Sequence, residues 1–296
     1  MAEITVALIK QLRDKTSAGM MDCKAALKET DGDLEAAETA LRKKNLMDAG
    51  KKAGRDAKEG VIASRVAADG KFGVMIEVNC ETDFVAKNDN FREFVEQILD
   101  HVEKSPEGAA LDAILAENFV GDESQTLDLF VKDKAGQLGE NMGLTRWVKL
   151  SAAGEGSVST YIHMQGKVGV LIEVGAGKAD SVSSEKFLTL VKDLTLHIAA
   201  ASPICITREE VPESLIETEK DIFRDQMKDK PADKIEMIIK GKMNKFYGTH
   251  ALLEQAFVKD ADQTIKKLVE SVGKDIGDEL SINRFERFAV GEEFAS

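Results

Sequence analysis

The chain of 296 residues is 43% hydrophobic and 31% charged, so it is long enough for about two domains with a sizeable buried core. Its 53 acidic residues outnumber its 40 basic residues, and the net charge of −13 disfavours general binding to nucleic acid. No apolar run reaches the roughly 18 residues that span a bilayer, and no signal peptide is apparent, so we expect a soluble cytoplasmic protein.

Residues 1–52 are predicted to form three short amphipathic helices, separated by turns at 16–19 and 31–33. Apolar residues recur with helical spacing in each helix, and Asp33 is the predicted N-cap of the third. Because three short helices enclose only a small core, this module is more typical of partner docking than of a reaction site.

A basic stretch follows at residues 42–58, with seven Lys and Arg residues but only two Asp residues. Gly50 and Gly54 interrupt it, and no apolar periodicity is visible. The pattern favours a solvated linker, since charge runs usually lie in solvent. The alternative is a contact with RNA or the ribosome, which would make the chain an RNA- or ribosome-associated translation protein.

The most informative feature of the sequence is an internal duplication. The segment 71–78 (KFGVMIEV) matches 167–174 (KVGVLIEV), which lies 96 residues later, and the match continues through a following amphipathic helix. Each copy is predicted to form a β-hairpin, with turns at Asp69-Gly70 and Gln165-Gly166, followed by that helix.

The second copy is predicted to contain an insertion. A further strand closes each copy, at 144–148 and 282–286, and these strands are 138 residues apart, so about 42 extra residues lie inside the second copy. We place them at 207–248, where two amphipathic helices flank the polar loop 228–230. This arrangement predicts an antiparallel helical hairpin that projects from the second copy.

These patterns together predict an α+β protein with a modular organisation. The predicted parts are a three-helix domain at 1–52, a first core subdomain at 53–140, a second core subdomain at 141–206 plus 249–296, and the inserted hairpin at 207–248.

Tests for enzyme motifs fail in this sequence. The fragment Gly175–Lys178 resembles part of a phosphate-binding loop, but Ile172 replaces the first glycine and Ala179 replaces the magnesium-binding hydroxyl residue. The histidines lie far apart, and His101 and His197 occupy equivalent positions in the two copies, which favours a packing role. Three widely spaced cysteines suggest neither a disulfide framework nor a metal site. We therefore predict no metal, no cofactor and no chemical active site.

The segment Cys80–Asn88 joins a strand of the first copy to its helix. The helix already has a complete apolar stripe from Phe91 onward, so Phe84 is not needed to complete it. Phe84 has two interpretations: it folds back into the core, or it binds in a pocket of a partner. The second copy has Asp180 in the place of Phe84, so the fold does not require an aromatic residue there, and this favours the partner.

Two stretches, 17–27 (SAGMMDCKAAL) and 77–87 (EVNCETDFVAK), resemble the signature segments of bacterial elongation factor Ts, and the resemblance spans nearly the whole chain. It implies a ubiquitin-associated-like N-terminal domain, two core subdomains and a protruding coiled coil. It also implies a guanine-nucleotide exchange factor that binds elongation factor Tu with GDP, disturbs its magnesium and phosphate site, and promotes release of GDP.

The same resemblance implies which residues contact elongation factor Tu. Thr82, Asp83, Phe84 and Val85 match the segment implicated in dislodging magnesium, Met20 and Met21 match a contact to the GTPase domain, and His163 matches a contact to another domain of the partner. No direct nucleotide binding by the chain itself is expected. Assembly into a homodimer or heterotetramer, through the hairpin or the second core subdomain, is left open.

Overall fold

The computed structural model describes residues 3–16, 18–227 and 232–292, except for the side chains of 232–235. Helices and strands are mixed along the chain in an α+β architecture, which confirms the predicted fold class. Among the described residues, no helix is long and apolar enough to cross a membrane.

Three helices at the N-terminus enclose a small core of their own. They are α1 (Val6–Thr16), α2 (Met20–Glu29) and α3 (Leu34–Lys52). Leu12 and Leu27 are fully buried between them. Asp33 caps α3, because its carboxylate accepts hydrogen bonds from the backbone N–H groups of Glu35 and Ala36.

The first core unit consists of helices packed on one face of a three-stranded antiparallel sheet. Its elements are β1 (Glu59–Val66), β2 (Phe72–Cys80), α4 (Asp83–Ala86), α5 (Asp89–Val102), α6 (Leu111–Leu115), β3 (Asn118–Phe119), β4 (Asp122–Thr126), α7 (Leu127–Leu138) and β5 (Met142–Ser151). The strand order is β1-β2-β5, and the central strand is buried along almost its whole length. Thr126 caps α7, and Gly139 ends it in the left-handed conformation at φ 81°.

The second core unit repeats this arrangement. Its elements are β6 (Ser157–His163), β7 (Val168–Ala176), α8 (Glu185–Ala201), α9 (Glu213–Asp225), α10 (Ala232–His250), β8 (Ala256–Phe257), β9 (Asp260–Thr264), α11 (Ile265–Ile276) and β10 (Leu280–Ala289). The strand order is β10-β7-β6, with the buried strand again at the centre. Thr264 caps α11 and Gly277 ends it, as in the first unit.

The two sheets have the same register. Ile76 of β2 pairs with Trp147 of β5, and Ile172 of β7 pairs with Phe285 of β10. The first members of these pairs are 96 residues apart and the second members 138 residues apart, so α9 and α10 account for the 42-residue difference. The insertion therefore leaves the sheet and its closing strand unchanged.

The two sheets face each other across a central apolar layer. This layer is built from residues at equivalent positions, namely Ile62 with Val158, Met75 with Leu171, and Leu150 with Phe288. Thr160 Oγ1 also donates a hydrogen bond to Ser64 Oγ at 2.8 Å, and these residues are again equivalent. An approximate two-fold axis therefore relates the two units.

Helices α9 and α10 pack on each other and on the end of the second unit. The Arg208 guanidinium lies 4.8 Å from the ring centroid of Tyr247, and Lys242 Nζ lies 4.5 Å from that of Phe223. The segment before α9 contacts the last part of α10, and the end of α9 contacts the middle of α10, so the two helices run antiparallel. The predicted loop 228–230 between them lies outside the described residues.

Most of the basic stretch 42–58 is not a linker, which corrects the interpretation favoured by its sequence. Helix α3 continues to Lys52 and packs closely against α7. A Cβ atom at Gly136 would lie 2.3 Å from the carbonyl oxygen of Asn45, so only glycine permits this approach. Asn45 also donates a hydrogen bond to Asp133 at 2.8 Å. Tertiary packing therefore outweighs the local charge pattern.

Strand β5 corrects one boundary of the predicted domain division. That division placed residues from 141 onward in the second core subdomain. However, β5 pairs with β2 from Phe72 opposite Ser151 to Cys80 opposite Met142. Backbone hydrogen bonds therefore assign this strand to the first sheet, and the other boundaries stay predictions.

Candidate functional site

The segment Cys80–Asn88 contains one turn of helix, α4, rather than an open loop. Thr82 caps this turn, because its hydroxyl accepts a hydrogen bond from the backbone N–H of Val85 at 3.3 Å. Val85 packs half-buried against the first core, and Ala86 is buried. Phe84 is 82% exposed, so it does not fill the core, and that interpretation of its sequence is excluded.

A carboxylate from another part of the first unit holds this turn in place. Glu140, which follows α7, accepts hydrogen bonds from the backbone N–H groups of Glu81 and Thr82 at 3.1 and 3.0 Å, and from the Thr82 hydroxyl at 2.6 Å. Glu81 in turn accepts a hydrogen bond from the N–H of Asn141 at 2.6 Å. We call the hydrogen bonds to the Glu140 carboxylate the brace of the turn. They fix the turn before any partner binds, so Phe84 lies on a preorganised element.

The second unit repeats the brace without the aromatic residue. At the equivalent position, the carboxylate of Asp278 accepts hydrogen bonds from the N–H groups of Gly177 and Lys178 at 3.2 and 3.1 Å. Asp180, which replaces Phe84, lies exposed on a short 3-10 turn. The scaffold of the turn is therefore common to both units, whereas the exposed aromatic side chain belongs to the first.

The charged group beside Phe84 is Asp83. It forms a surface ion pair with Lys87 at 2.7 Å, one helical turn later, and this hydrogen bond lowers the pKa of Asp83. Beneath the turn, burial raises the pKa of Cys80 to about 12, so its thiol stays protonated and unreactive at neutral pH. The turn therefore offers an exposed aromatic ring and an anionic carboxylate, with no nucleophile.

Met20 and Met21 lie in the first turn of α2, on the N-terminal helical module, where they are 45% and 76% exposed. An ion pair between Lys44 and Asp22 links this end of α2 to α3. Exposed methionine side chains are flexible and apolar, which suits contact with another protein. These residues are on a different module from the turn that carries Phe84.

His163 ends strand β6 of the second unit and is exposed, with its Nδ1 atom 2.9 Å from the hydroxyl of Tyr161. The turn that follows contacts β1, where the Ile62 N–H donates a hydrogen bond to the Gly166 carbonyl at 2.7 Å. Helix α4 also packs on β1. The structure therefore brings the His163 turn and the Phe84 turn against the same strand.

Residues that resemble enzyme motifs have structural partners. The N–H groups of Gly177 and Lys178, which a phosphate-binding loop would offer to a ligand, bond to Asp278 instead. His101 and His197 are buried, and each accepts a backbone hydrogen bond at Nδ1 from a neighbouring hairpin. In the part of the chain that the structure describes, no three His, Cys, Asp or Glu side chains are grouped to hold a metal ion.

Sequence reasoning missed the brace residues Glu140 and Asp278. An acidic chain offers too many carboxylates for any one to be selected by composition. A signal was nevertheless present, because each of these residues directly follows a glycine, Gly139 or Gly277, that ends an equivalent helix.

The fold and this turn define a class of protein: an α+β chain with a duplicated core that carries an exposed aromatic side chain on a braced turn of one copy. The family Elongation factor TS matches residues 81–292. The chain is 48% identical to elongation factor Ts of Trichlorobacter lovleyi over 98% of this chain and 93% of the relative. Identities with elongation factor Ts of Syntrophotalea carbinolica and Halothermothrix orenii are 44% and 42%, over 98% of this chain and over 94% and 93% of those relatives. The chain belongs to the elongation factor Ts family, and this membership supports a role in translation elongation.

Proposed function

We propose that the chain is a guanine-nucleotide exchange factor that binds the GDP form of elongation factor Tu and promotes release of GDP. Membership of the family supports this function, and one observation carries the specific proposal: Phe84 is 82% exposed on a turn held by Glu140. Buried aromatic side chains dominate the binding energy of many protein interfaces, especially when the free protein already holds them in the bound position.

The mechanism depends on how a GTPase holds its nucleotide. Magnesium, backbone amides and a lysine bind the phosphates only while their loops keep one geometry. Phe84 enters between helices of the GTPase, Asp83 engages polar groups beside them, and Thr82 and Val85 hold the turn. Displacement of those helices disturbs the magnesium and phosphate site, so GDP dissociates. No covalent bond is made or broken, and no chemical active site is needed.

Two further contacts would hold the partner while the turn acts. Met20 and Met21 would bind the GTPase domain through the N-terminal module, and His163 would bind another domain of elongation factor Tu. Once one region of the chain has bound, each further region binds at a high effective concentration. The separation of these regions then matters as much as the strength of each contact.

The experiment that tests this function is the release of labelled GDP from elongation factor Tu with and without the protein. Release should accelerate as the concentration of the protein rises, including at concentrations below that of elongation factor Tu. An unchanged release rate would contradict the proposal. The protein alone should hydrolyse no GTP, and turnover by the protein alone would place it in a different class.

An RNA- or ribosome-associated role for residues 42–58 gains no support from the contacts of this stretch. Four of its seven basic side chains pair with carboxylates, which lowers the charge available to a phosphate backbone. They are Arg42, Lys44, Lys51 and Arg55. A steep salt dependence of RNA affinity is the result that would favour this role. A cytoplasmic location, and a homodimer or heterotetramer through the hairpin or the second core unit, stay predictions.

A further inference from the structure

Two carboxylates are buried at equivalent positions in the centres of the two sheets. Glu77 of β2 and Glu173 of β7 are only 2% and 1% exposed. Each pairs with an arginine of the neighbouring closing strand: Arg146 Nε lies 2.5 Å from Glu77, and Arg284 Nε lies 2.7 Å from Glu173. Burying a carboxylate costs free energy that charged and hydrogen-bonding partners must offset, so buried carboxylates at equivalent positions of both units call for a specific role.

Each of these arginines also reaches into the other unit. Arg146 Nη2 donates a hydrogen bond to the carbonyl of Ala289 at 2.8 Å, and Arg284 Nη2 donates one to the carbonyl of Ser151 at 2.9 Å. Ala289 and Ser151 are the last residues of β10 and β5, and they occupy equivalent positions. Arg284 also pairs with Glu107 of the first unit at 2.6 Å.

The two carboxylates also bond across the junction, as acceptors of backbone hydrogen bonds from the other unit. Glu77 accepts a hydrogen bond from the backbone N–H of Gly291 at 2.9 Å, and Glu173 accepts one from that of Ala153 at 2.8 Å. Gly291 and Ala153 each lie two residues beyond a closing strand. Burial alone would raise the pKa of Glu173, but hydrogen bonds, led by that from Ala153, outweigh burial and lower it. This carboxylate therefore stays charged at neutral pH.

These contacts form two symmetric inter-unit clamps, one built on Glu77 and Arg146 and one on Glu173 and Arg284. The central apolar layer holds the sheets together, but hydrophobic attraction has no preferred direction. Hydrogen bonds do have one, so the clamps restrict how far one sheet can rotate on the other. Backbone hydrogen bonds between the hairpin turns also join the units, as do the side-chain contacts of Ser64 with Thr160 and of Glu59 with Lys167. The clamps differ from these contacts because each ties a buried carboxylate of one unit to the backbone of the other.

We propose that the two inter-unit clamps are positioning residues for nucleotide exchange: they fix the orientation of the two core units, and thereby the separation of Phe84 from His163. This inference rests on the proposed function, because the separation matters only if both residues contact one partner. A partner that binds two regions loses the advantage of the second contact when the regions are no longer held at the right separation.

The first part of the test measures the orientation of the units in the free protein. Spin labels on Glu93→Cys and Thr189→Cys would occupy equivalent exposed positions on α5 and α8, and the native cysteines are buried. Pulsed electron paramagnetic resonance then gives the distribution of inter-label distances. In Arg146→Lys/Arg284→Lys, each lysine keeps the charge but cannot bind the carboxylate and the distant carbonyl together. We expect a broader distribution in this variant.

Arg65→Lys is the matched control. Arg65 pairs with Glu96 and Asp100 of α5 and with Glu103, which directly follows this helix. All three belong to its own unit, so its substitution removes the same kind of contact without touching the other unit. It should leave both the distance distribution and exchange unchanged. If the double variant does not fold, Glu107→Gln takes its place, because exposed Glu107 bonds Arg284 across the junction.

The second part measures GDP release from elongation factor Tu. The double variant should lower the second-order rate constant by about tenfold, with wild-type secondary structure, since binding at two regions can strengthen affinity by about a hundredfold or more. Two results for the double variant would overturn the inference. One is a distance distribution like that of the wild type, whether or not GDP release is slower. The other is a broader distribution with a normal rate of GDP release. Failure of the wild-type protein to accelerate release would instead contradict the proposed function, while the distances would still show whether the clamps fix the units.

Discussion

Phe84 and Asp180 occupy equivalent turns, and their difference shows how one side chain can give a repeated scaffold a new use. Both turns are held by a carboxylate that follows a helix-ending glycine. The backbone therefore does not account for the difference between them. The aromatic ring of Phe84 gains little packing in the free protein, so its main contribution is expected in a complex.

Phe84→Ala should separate binding from folding. The free energy of unfolding should change little, because the side chain is already 82% exposed. The complex with elongation factor Tu should weaken by about 2 kcal/mol or more, which is the loss typical of an interface hot spot. Urea unfolding and GDP release measure these two effects on the same variant.

Two variants serve as controls for this prediction. Phe91 is fully buried in the first core, so Phe91→Ala should cost about 3–5 kcal/mol of stability. Asp180→Ala alters the equivalent turn of the second unit and should change neither stability nor exchange. A large destabilisation by Phe84→Ala with normal exchange per folded molecule would contradict the proposed contact.

Glu140→Gln tests whether the brace serves function as well as folding. Hydrogen bonds to a charged group each contribute about 1.5–3 kcal/mol, so the loss of charge should destabilise the protein measurably. Asp278→Asn makes the corresponding change in the second unit. We expect both variants to lose stability, but only Glu140→Gln to slow GDP release. If the two variants promoted GDP release at equal rates, the brace would support folding alone.

At the scale of elements, the crossing of α3 and α7 joins the N-terminal module to the first core unit. The basic stretch is helical here because its inner side packs on α7, with Ala49 in the core of the first unit. The crossing depends on Gly136, whose missing side chain lets the two helix backbones meet. The position of Met20 and Met21 relative to the core depends on this contact.

Gly136→Ala should displace α3, because the new methyl group would lie 2.3 Å from the backbone oxygen of Asn45. Overpacking of this kind costs about 1–3 kcal/mol, and we expect slower GDP release as the N-terminal module moves. Gly50→Ala in α3 is the matched control, since its added Cβ would meet no atom within 4 Å beyond its chain neighbours and the backbone of its own helix. That change should stabilise the protein by about 0.4–1 kcal/mol. Thermal unfolding measures both effects. If Gly136→Ala were as stable as the wild type, the two helices would not be in this close contact.

At the scale of the whole molecule, the proposed mechanism requires that GDP and this protein weaken each other's binding to elongation factor Tu. If this protein lowers the affinity of elongation factor Tu for GDP by some factor, GDP must lower the affinity for this protein by the same factor. GDP with magnesium should therefore dissociate the preformed complex, which light scattering or gel filtration can follow. A complex whose affinity is indifferent to GDP would rule out this route of exchange.

Nucleotide binding by the isolated protein provides the control for that experiment. The amides of Gly177 and Lys178 already bond to Asp278, so these two donors of the fragment that resembles a phosphate loop are not available to a nucleotide. Equilibrium dialysis should detect neither GDP nor GTP bound at micromolar concentration. Nucleotide bound to the protein alone would mean that GDP acts on this chain as well as on its partner.

The sequence by itself determined the α+β class, the family and the internal duplication. Helical periodicity and strand patterns are local properties, so short windows are enough to detect them. The match between 71–78 and 167–174 added a comparison within the chain, and that comparison singled out Phe84 by its replacement with Asp180. The elements between residues 103 and 141 were not predicted. Three of them, α6, β3 and β4, contain only five, two and five residues, which is too short for a periodic pattern to be recognised.

Only the tertiary structure decided which distant segments meet. It showed that Phe84 is exposed, that the strand after residue 141 closes the first sheet, and that the basic stretch continues a packed helix. The brace and the inter-unit clamps likewise join residues far apart in the chain. Each depends on charge and hydrogen-bond geometry across a packed interface, which no local pattern encodes, because the same carboxylate elsewhere in an acidic chain would simply lie in solvent.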